Sequence, residues 1–265
     1  RYPLVTGVQT CALPISTQLI LGTSKLGELS KSESYKLLDA SLGLGIQYID
    51  TAPTYPKSEK LIGNFIGHTN KINVITKFGR ESTFLKTDEM FDSIRSSCKK
   101  LKLETLYALV IHNRPSSAFD EKLLEYSIKL KHAGVIRYFG WSGGWQNLPK
   151  SKYFKYFDFV MVPTNQFIPN LENKIKTVKT TVIGMNPFAN FFWNYKAYNP
   201  ILKFYRERLL KKYNPKPPYK FESNFHKPPE LQEMLNFLNT LKRVDGICFG
   251  STKINHIREV VSRFG

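Results

Sequence analysis

A chain of 265 residues, 42% hydrophobic and 23% charged, can bury one substantial core, and a single barrel of roughly 250 residues would use it all. No apolar run approaches the ~20 residues that span a bilayer, and no secretory signal pattern opens the chain; the expectation is a cytoplasmic protein with no membrane partner. The net charge of +18 invites a nucleic-acid reading, but the lysines of KSESYKLLDA and SCKKLKLETL stand opposite apolar stripes as a solvated face, so no nucleic acid is expected either.

A cationic surface still favours anionic ligands, phosphorylated cofactors among them. The three cysteines have neither a disulfide framework nor metal-ligand spacing, and no metal is expected. Cys98 extends the helical stripe Phe91, Ile94, Cys98, Leu101, and Cys248 lies inside an apolar strand; both read as small core residues.

The first sixteen residues, RYPLVTGVQTCALPIS, have no period and resemble the conceptual translation of a sequencing-library adapter. The folded unit is therefore expected over 17–265, with 1–16 non-native and Cys11 without biological meaning. A first strand, Gln18 to Thr23, leads to a helix opened by a Ser30–Glu33 capping box, carrying Leu37, Leu38 and Leu42 inward and stopped by Gly43 and Gly45. The second strand ends at Asp50, and Ser58 and Glu59 start a helix with Leu61, Ile62, Phe65 and Ile66 on one face.

The third strand, Ile72 to Phe78, contains Lys77, and a helix from Thr87 to Leu101 follows. The fourth, Leu106 to Ile111, delivers His112, and the helix after it spans Asp120 to Lys131. Strands at Arg137–Trp141, Phe159–Pro163, Thr181–Met185 and Gly246–Phe249 complete the set, leading into Ser142, Asn165, Asn186 and Gly250–Ser251. A last helix runs through Ile257 and Val260.

Eight buried-type strands separated by helices predict a parallel sheet closed as a single-domain (β/α)8 TIM barrel. A doubly wound open sheet is the alternative, but LGTSKLG is not the Gly-rich phosphate turn GxGxxG. One segment, 189–229, breaks the alternation with aromatics, lysine and proline; it is read as a lid or substrate-pocket loop over the C-terminal face, with a helix from Ile201 to Lys212.

Three consecutive strands thus end in Asp50, Lys77 and His112, and the loop after the second presents Tyr55. Each has an ordinary reading alone: Asp50 as a turn residue, Tyr55 as a loop aromatic, His112 as a structural histidine. Together they would meet at one end of a barrel, where Asp50 would supply the partner that a lysine in NVITKFG needs.

These residues give the chain, from Leu19 to Val261, its resemblance to the aldo-keto reductases. Gly45, Asp50, Thr51, Ala52, Tyr55, Ser58, Glu59 and Gly63 match the family's signature, ITKFG its lysine strand and LVIHN its histidine strand. GVIRYFGWS resembles its fifth strand, and GSTKINHIREV the segment that binds the adenosine phosphate. The resemblance implies NAD(P)H-dependent reduction of a small-molecule carbonyl, without metal. Tyr55 would be the general acid, Lys77 would lower its pKa, Asp50 would hold Lys77, and His112 would orient the carbonyl. Thr23, Ser142, Asn186, Gly250, Ser251, Lys253 and Glu259 would bind the cofactor, NADPH in preference to NADH.

The chain departs from the family's pattern where Gly143 follows Ser142, where Met161 and Met185 stand at usual glutamine and tyrosine positions, and at Pro56, His256, Val260 and Gly250. The acid–base group is intact and the cofactor clamp is thinned. A non-catalytic regulatory or nucleotide-sensing subunit of the same fold is the competing expectation. Oligomeric state and substrate are not legible.

Overall fold

A computed structural model describes residues 18–67, 72–79, 86–118, 121–188 and 230–264. The expectations for 1–16, for the lid at 189–229 and for the helix from Ile201 to Lys212 lie outside the described residues.

Eight parallel strands close into a barrel in sequence order, each paired with the next and the last with the first. They are β1 (Gln18–Gly22), β2 (Tyr48–Asp50), β3 (Asn73–Phe78), β4 (Leu106–His112), β5 (Ile136–Ser142), β6 (Phe159–Pro163), β7 (Thr181–Met185) and β8 (Gly246–Gly250). Around them lie α1 (Lys31–Gly43), α2 (Ser58–Ile66), α3 (Thr87–Leu101), α4 (Glu121–His132), α5 (Leu171–Thr177), α6 (Leu231–Thr240) and α7 (Ile254–Arg263). After β5, two 3-10 turns, Trp145–Asn147 and Ser151–Tyr156, stand where a helix would be expected. The fold is a single-domain (β/α)8 TIM barrel.

Local chemistry explains the joints. The Ser30 hydroxyl accepts from the Glu33 N–H at 3.2 Å, and the Glu33 carboxylate accepts from the Ser30 N–H at 2.9 Å, so α1 starts on its capping box. Gly45, at φ +86°, turns the chain from α1 towards β2 in a conformation that an L side chain rarely adopts.

Alternation along the strands divides the core in two. Ile20, Tyr48, Ile75, Val110, Phe159, Met161, Ile183 and Cys248 fill the barrel interior. Leu21, Ile49, Val74, Leu109, Phe139 and Val160 face the helices. Helix α3 corrects the predicted stripe: Met90 is fully buried while Phe91 is half exposed, because Met90, Ile94, Ser97 and Leu101 are the positions facing the sheet. Cys98 sits beside that stripe, partly exposed. Among the described residues no helix is long and apolar enough to cross a membrane.

Candidate active site

The C-terminal mouth is built where polar residues replace apolar ones at the strand ends. Asp50 ends β2, Lys77 is the penultimate residue of β3, and His112 ends β4; all three are buried. An ammonium 2% exposed must have its charge met inside the fold. Lys77 Nζ donates to Asp50 Oδ1 and, at 2.8 Å, to the Thr51 carbonyl. Burial lowers the Lys77 pKa, but the charges of Asp50 and Tyr55 outweigh it and hold the lysine above its ordinary value. Burial pushes the Asp50 carboxyl upward against the opposing pull of Lys77.

The loop after β2 places the tyrosine. Tyr55 N–H donates to the Ala52 carbonyl at 2.9 Å, and Ser58 N–H donates to the Tyr55 carbonyl at 3.1 Å. Lys57 then takes a left-handed φ of 59° immediately before α2. The half-buried Tyr55 ring consequently lies with its centroid 5.0 Å from Lys77 Nζ, and the His112 ring stands edge-on to it at 6.2 Å and 89°. The four residues Asp50, Tyr55, Lys77 and His112 are therefore neighbours on one face.

The electrostatics correct one expectation. Lys77 does pull the Tyr55 pKa down, but burial pushes it up more strongly, and Asp50 and Cys248 add to the rise. The net direction is upward, so the phenol holds its proton through neutral pH. Cys248, pointing inward from β8, is itself held as a thiol, chiefly by burial and then by Asp50.

The residues that the resemblance assigns to a cofactor lie along the rest of the rim. The buried Ser142 ends β5, its hydroxyl 3.7 Å from Met185 Sδ. Asn186 follows β7 with φ 51°, its carbonyl accepting from Asn165 Nδ2 at 3.1 Å. Gly250 faces Gly22 across the β8–β1 pairing, where a Cβ on Gly250 would stand 3.0 Å from the Gly22 oxygen. Ser251 Oγ accepts from the Lys253 N–H at 3.1 Å, and the exposed Lys253 directly precedes α7.

Two more side chains in this set also have partners. The Thr23 hydroxyl donates to the Asp50 carbonyl at 2.8 Å, and Glu259 pairs with Arg263 at 3.1 Å. The open part is the start of α7, whose first turn carries no acidic residue. The positive end of its helix dipole, with Lys253 and the side-chain-free Gly250, suits an anion. The residues present therefore fit the phosphate-bearing end of a nucleotide. At the other end the floor is sulfur-rich, formed by Met161, Met185 and Cys248.

Gly27 escaped the sequence reading. It lies in a 3-10 turn, Leu26–Glu28, where a Cβ would stand 1.7 Å from the Pro56 carbonyl oxygen, next to Tyr55. A glycine in LGELS reads as ordinary turn chemistry; no spacing announces that a distant backbone segment will press on it.

The description of the aldo/keto reductase family matches residues 18–263, so the chain belongs to that family. It is an NAD(P)H-dependent oxidoreductase of the aldo-keto reductase type. An uncharacterized oxidoreductase of Bacillus subtilis (strain 168), YqkF, is 24% identical, covering 90% of this chain and 84% of its own length. An aldo-keto reductase from Bacillus halodurans, solved in its holo form, superposes with a TM-score of 0.70 at 18% identity, covering 93% of this chain and 86% of its own. An aldo-keto reductase from Klebsiella pneumoniae, solved in complex with NADPH, gives 0.64 at 18% identity over 93% and 84%. At such identities the superpositions bear on the fold.

Proposed function

We propose that this protein reduces the carbonyl of a small aldehyde or ketone to an alcohol, with Tyr55 as the proton donor and NADPH as the preferred cofactor. The observation that carries the reading is the convergence of a buried Lys77–Asp50 pair, a half-buried phenol and a histidine at one barrel mouth. When bound, the cofactor supplies a hydride to the carbonyl carbon.

The chain's own residues handle the oxygen. Tyr55, protonated through neutral pH by its burial, donates the phenolic proton to the carbonyl oxygen. Lys77 steadies the phenolate left behind; opposite unit charges about 4 Å apart in an effective dielectric of about 20 attract by ~4 kcal/mol. Asp50 and the Thr51 carbonyl keep that charge in place. His112, edge-on to Tyr55, would hydrogen-bond the same oxygen and orient it.

Gly250, Ser251 and Lys253, with the start of α7, would hold the adenosine phosphate, which favours NADPH over NADH. Ser142 and Asn186 would meet the nicotinamide end. Thr23 and Glu259, with their side chains engaged, would shape the rim. The free Cys98 and Cys248 suit a reducing compartment, so the cytoplasm is the proposed location.

The test is a screen of aldehydes and ketones with NADPH and NADH, with Tyr55→Phe run in parallel. Turnover by the wild type that is lost in Tyr55→Phe, with NADPH bound by both, supports the reading. NADPH binding with no carbonyl reduced by the wild type would move the assignment to a non-catalytic nucleotide-binding subunit.

A further inference from the structure

Ser58, the first residue of α2, is fully buried three positions after Tyr55. Its N–H donates to the Tyr55 carbonyl at 3.1 Å. Its hydroxyl meets two others, Thr23 Oγ1 at 2.8 Å and Thr51 Oγ1 at 3.0 Å. Each hydroxyl has a single proton to donate. The proton of Thr23 goes to the Asp50 carbonyl, so Ser58 must donate to Thr23. The Ser58 proton is then committed, so Thr51 must donate to Ser58. The chain has one direction: Thr51 to Ser58 to Thr23 to the Asp50 carbonyl.

Both ends of that chain touch the residues that hold Lys77. It starts on Thr51, whose carbonyl accepts from Lys77, and finishes on Asp50, whose carboxylate pairs with Lys77. The next residue of α2, the buried Glu59, is tied to β3 directly: its Oε1 accepts from Thr76 Oγ1 at 2.8 Å, one residue before Lys77, while its Oε2 lies 3.4 Å from Lys100 Nζ. The start of α2 is thus bonded to the tyrosine's own peptide on one side and to the anchors of its cation on the other.

We propose that Ser58 is a positioning residue, which through this directed hydroxyl chain sets the Tyr55 phenol against the Lys77 ammonium. The proposal rests on the reading of Tyr55 as proton donor. Without the Ser58 hydroxyl, Thr51 loses its acceptor and Thr23 its donor, and α2 keeps only backbone hydrogen bonds to the tyrosine loop among the described residues, from the Ser58 and Leu61 N–H groups. A displacement of the order of 1 Å at a reacting group can cost ~10²-fold in rate.

The experiment compares wild type with Ser58→Ala, Thr51→Val and Thr51→Ser. Tyrosine Cζ is labelled with carbon-13, and the Tyr55 resonance is assigned by its loss in Tyr55→Phe and followed in the cofactor-free protein. Single-turnover reduction is followed against pH, together with the NADPH Kd. Ser58→Ala and Thr51→Val should move the Tyr55 resonance, shift the pH profile and slow the chemical step by ~10–100-fold with little change in Kd. Thr51→Ser, which keeps the donor, should follow the wild type.

An unmoved resonance and pH profile, with only the melting temperature lowered, overturns the proposal, and so does Thr51→Ser as impaired as Thr51→Val. If Ser58→Ala does not fold, the two Thr51 variants decide alone. If the wild type reduces no carbonyl, the resonance still decides the positioning role while the carbonyl-reduction reading fails.

Discussion

The Lys77 ammonium lies 5.0 Å from the centroid of the Tyr55 ring while its hydrogen bonds run to Asp50 and to the Thr51 carbonyl. The tyrosine therefore feels a cation that Asp50 and Thr51 also hold. Tyr55→Phe keeps the ring and the cation and removes only the hydroxyl. Folding and NADPH binding should persist, and single-turnover reduction should fall ~10²–10⁴-fold. Near wild-type rates in that variant would rule Tyr55 out as the donor.

Removing the cation has a different cost. Lys77→Met leaves Asp50 buried without its counter-charge, and breaking such a pair typically destabilises by ~3–5 kcal/mol. Adding Asp50→Asn should recover most of that stability in urea denaturation without recovering activity, because the phenol still lacks its cation. Recovery of both would show that the pair acts only on folding.

The upward shift of Tyr55 fixes the sign of the pH dependence. Its protonated form persists beyond the ordinary tyrosine value of 10.0, and Lys77, also raised, stays charged there. Carbonyl reduction should stay level through neutral and mildly alkaline pH and fall only above that value. Alcohol oxidation, which needs the phenolate, should rise over the same range. An alkaline fall in single-turnover reduction centred at about pH 8 would contradict this account.

His256 gives cofactor binding its own pH dependence. Its Nδ1 is 3.4 Å from Ser251 Oγ in the first turn of α7, and burial, then Lys253, hold its pKa below 6.5 against the pull of Glu259. A phosphate bound there favours the imidazolium, so NADPH should bind more tightly at about pH 5.5 than at about pH 8, and His256→Gln should flatten the difference. A wild-type Kd that does not change with pH, read by fluorescence titration, would show that His256 does not sense a bound phosphate.

Gly27→Ala tests how tightly the tyrosine loop is held from behind. Its Cβ would stand 1.7 Å from the Pro56 carbonyl oxygen, and a backbone neighbour cannot rotate away as a side chain does. The expected cost is ~1–3 kcal/mol of stability, with a larger loss in the chemical step than in NADPH affinity. Equal losses in both would show a general distortion of the mouth.

The strands were legible because each is a bulky run closed by a residue out of character with it, as in ITKFG and LVIHN. The Ser30–Glu33 box and the apolar face of α2 were legible for the same local reason. Phe91 was misplaced because neighbouring apolar residues leave the phase of a helix open by one position, and packing chose Met90. The two 3-10 turns after β5 lie in a stretch whose aromatics have no helical period. The Tyr55 shift depends on how much of the mouth closes over the ring, which no spacing encodes. The Thr51–Ser58–Thr23 chain was hidden because small hydroxyl residues carry no mark of their partners.

The pairing of β1 with β8 has a consequence for biosynthesis. Asp50, Lys77 and His112 all come from β2 to β4 and leave the ribosome early, yet β1 gains its second neighbour only when Gly246–Gly250 arrives. Until then the nascent chain carries a growing sheet with an unpaired edge at each side, and joining them means closing a very long loop. A ribosome-stalled chain ending before Gly246 should be cut readily by protease and held by chaperones, while one extended past α7 should not. The residues that equip the mouth are made first, but they wait on the last of the eight strands for a closed wall around them.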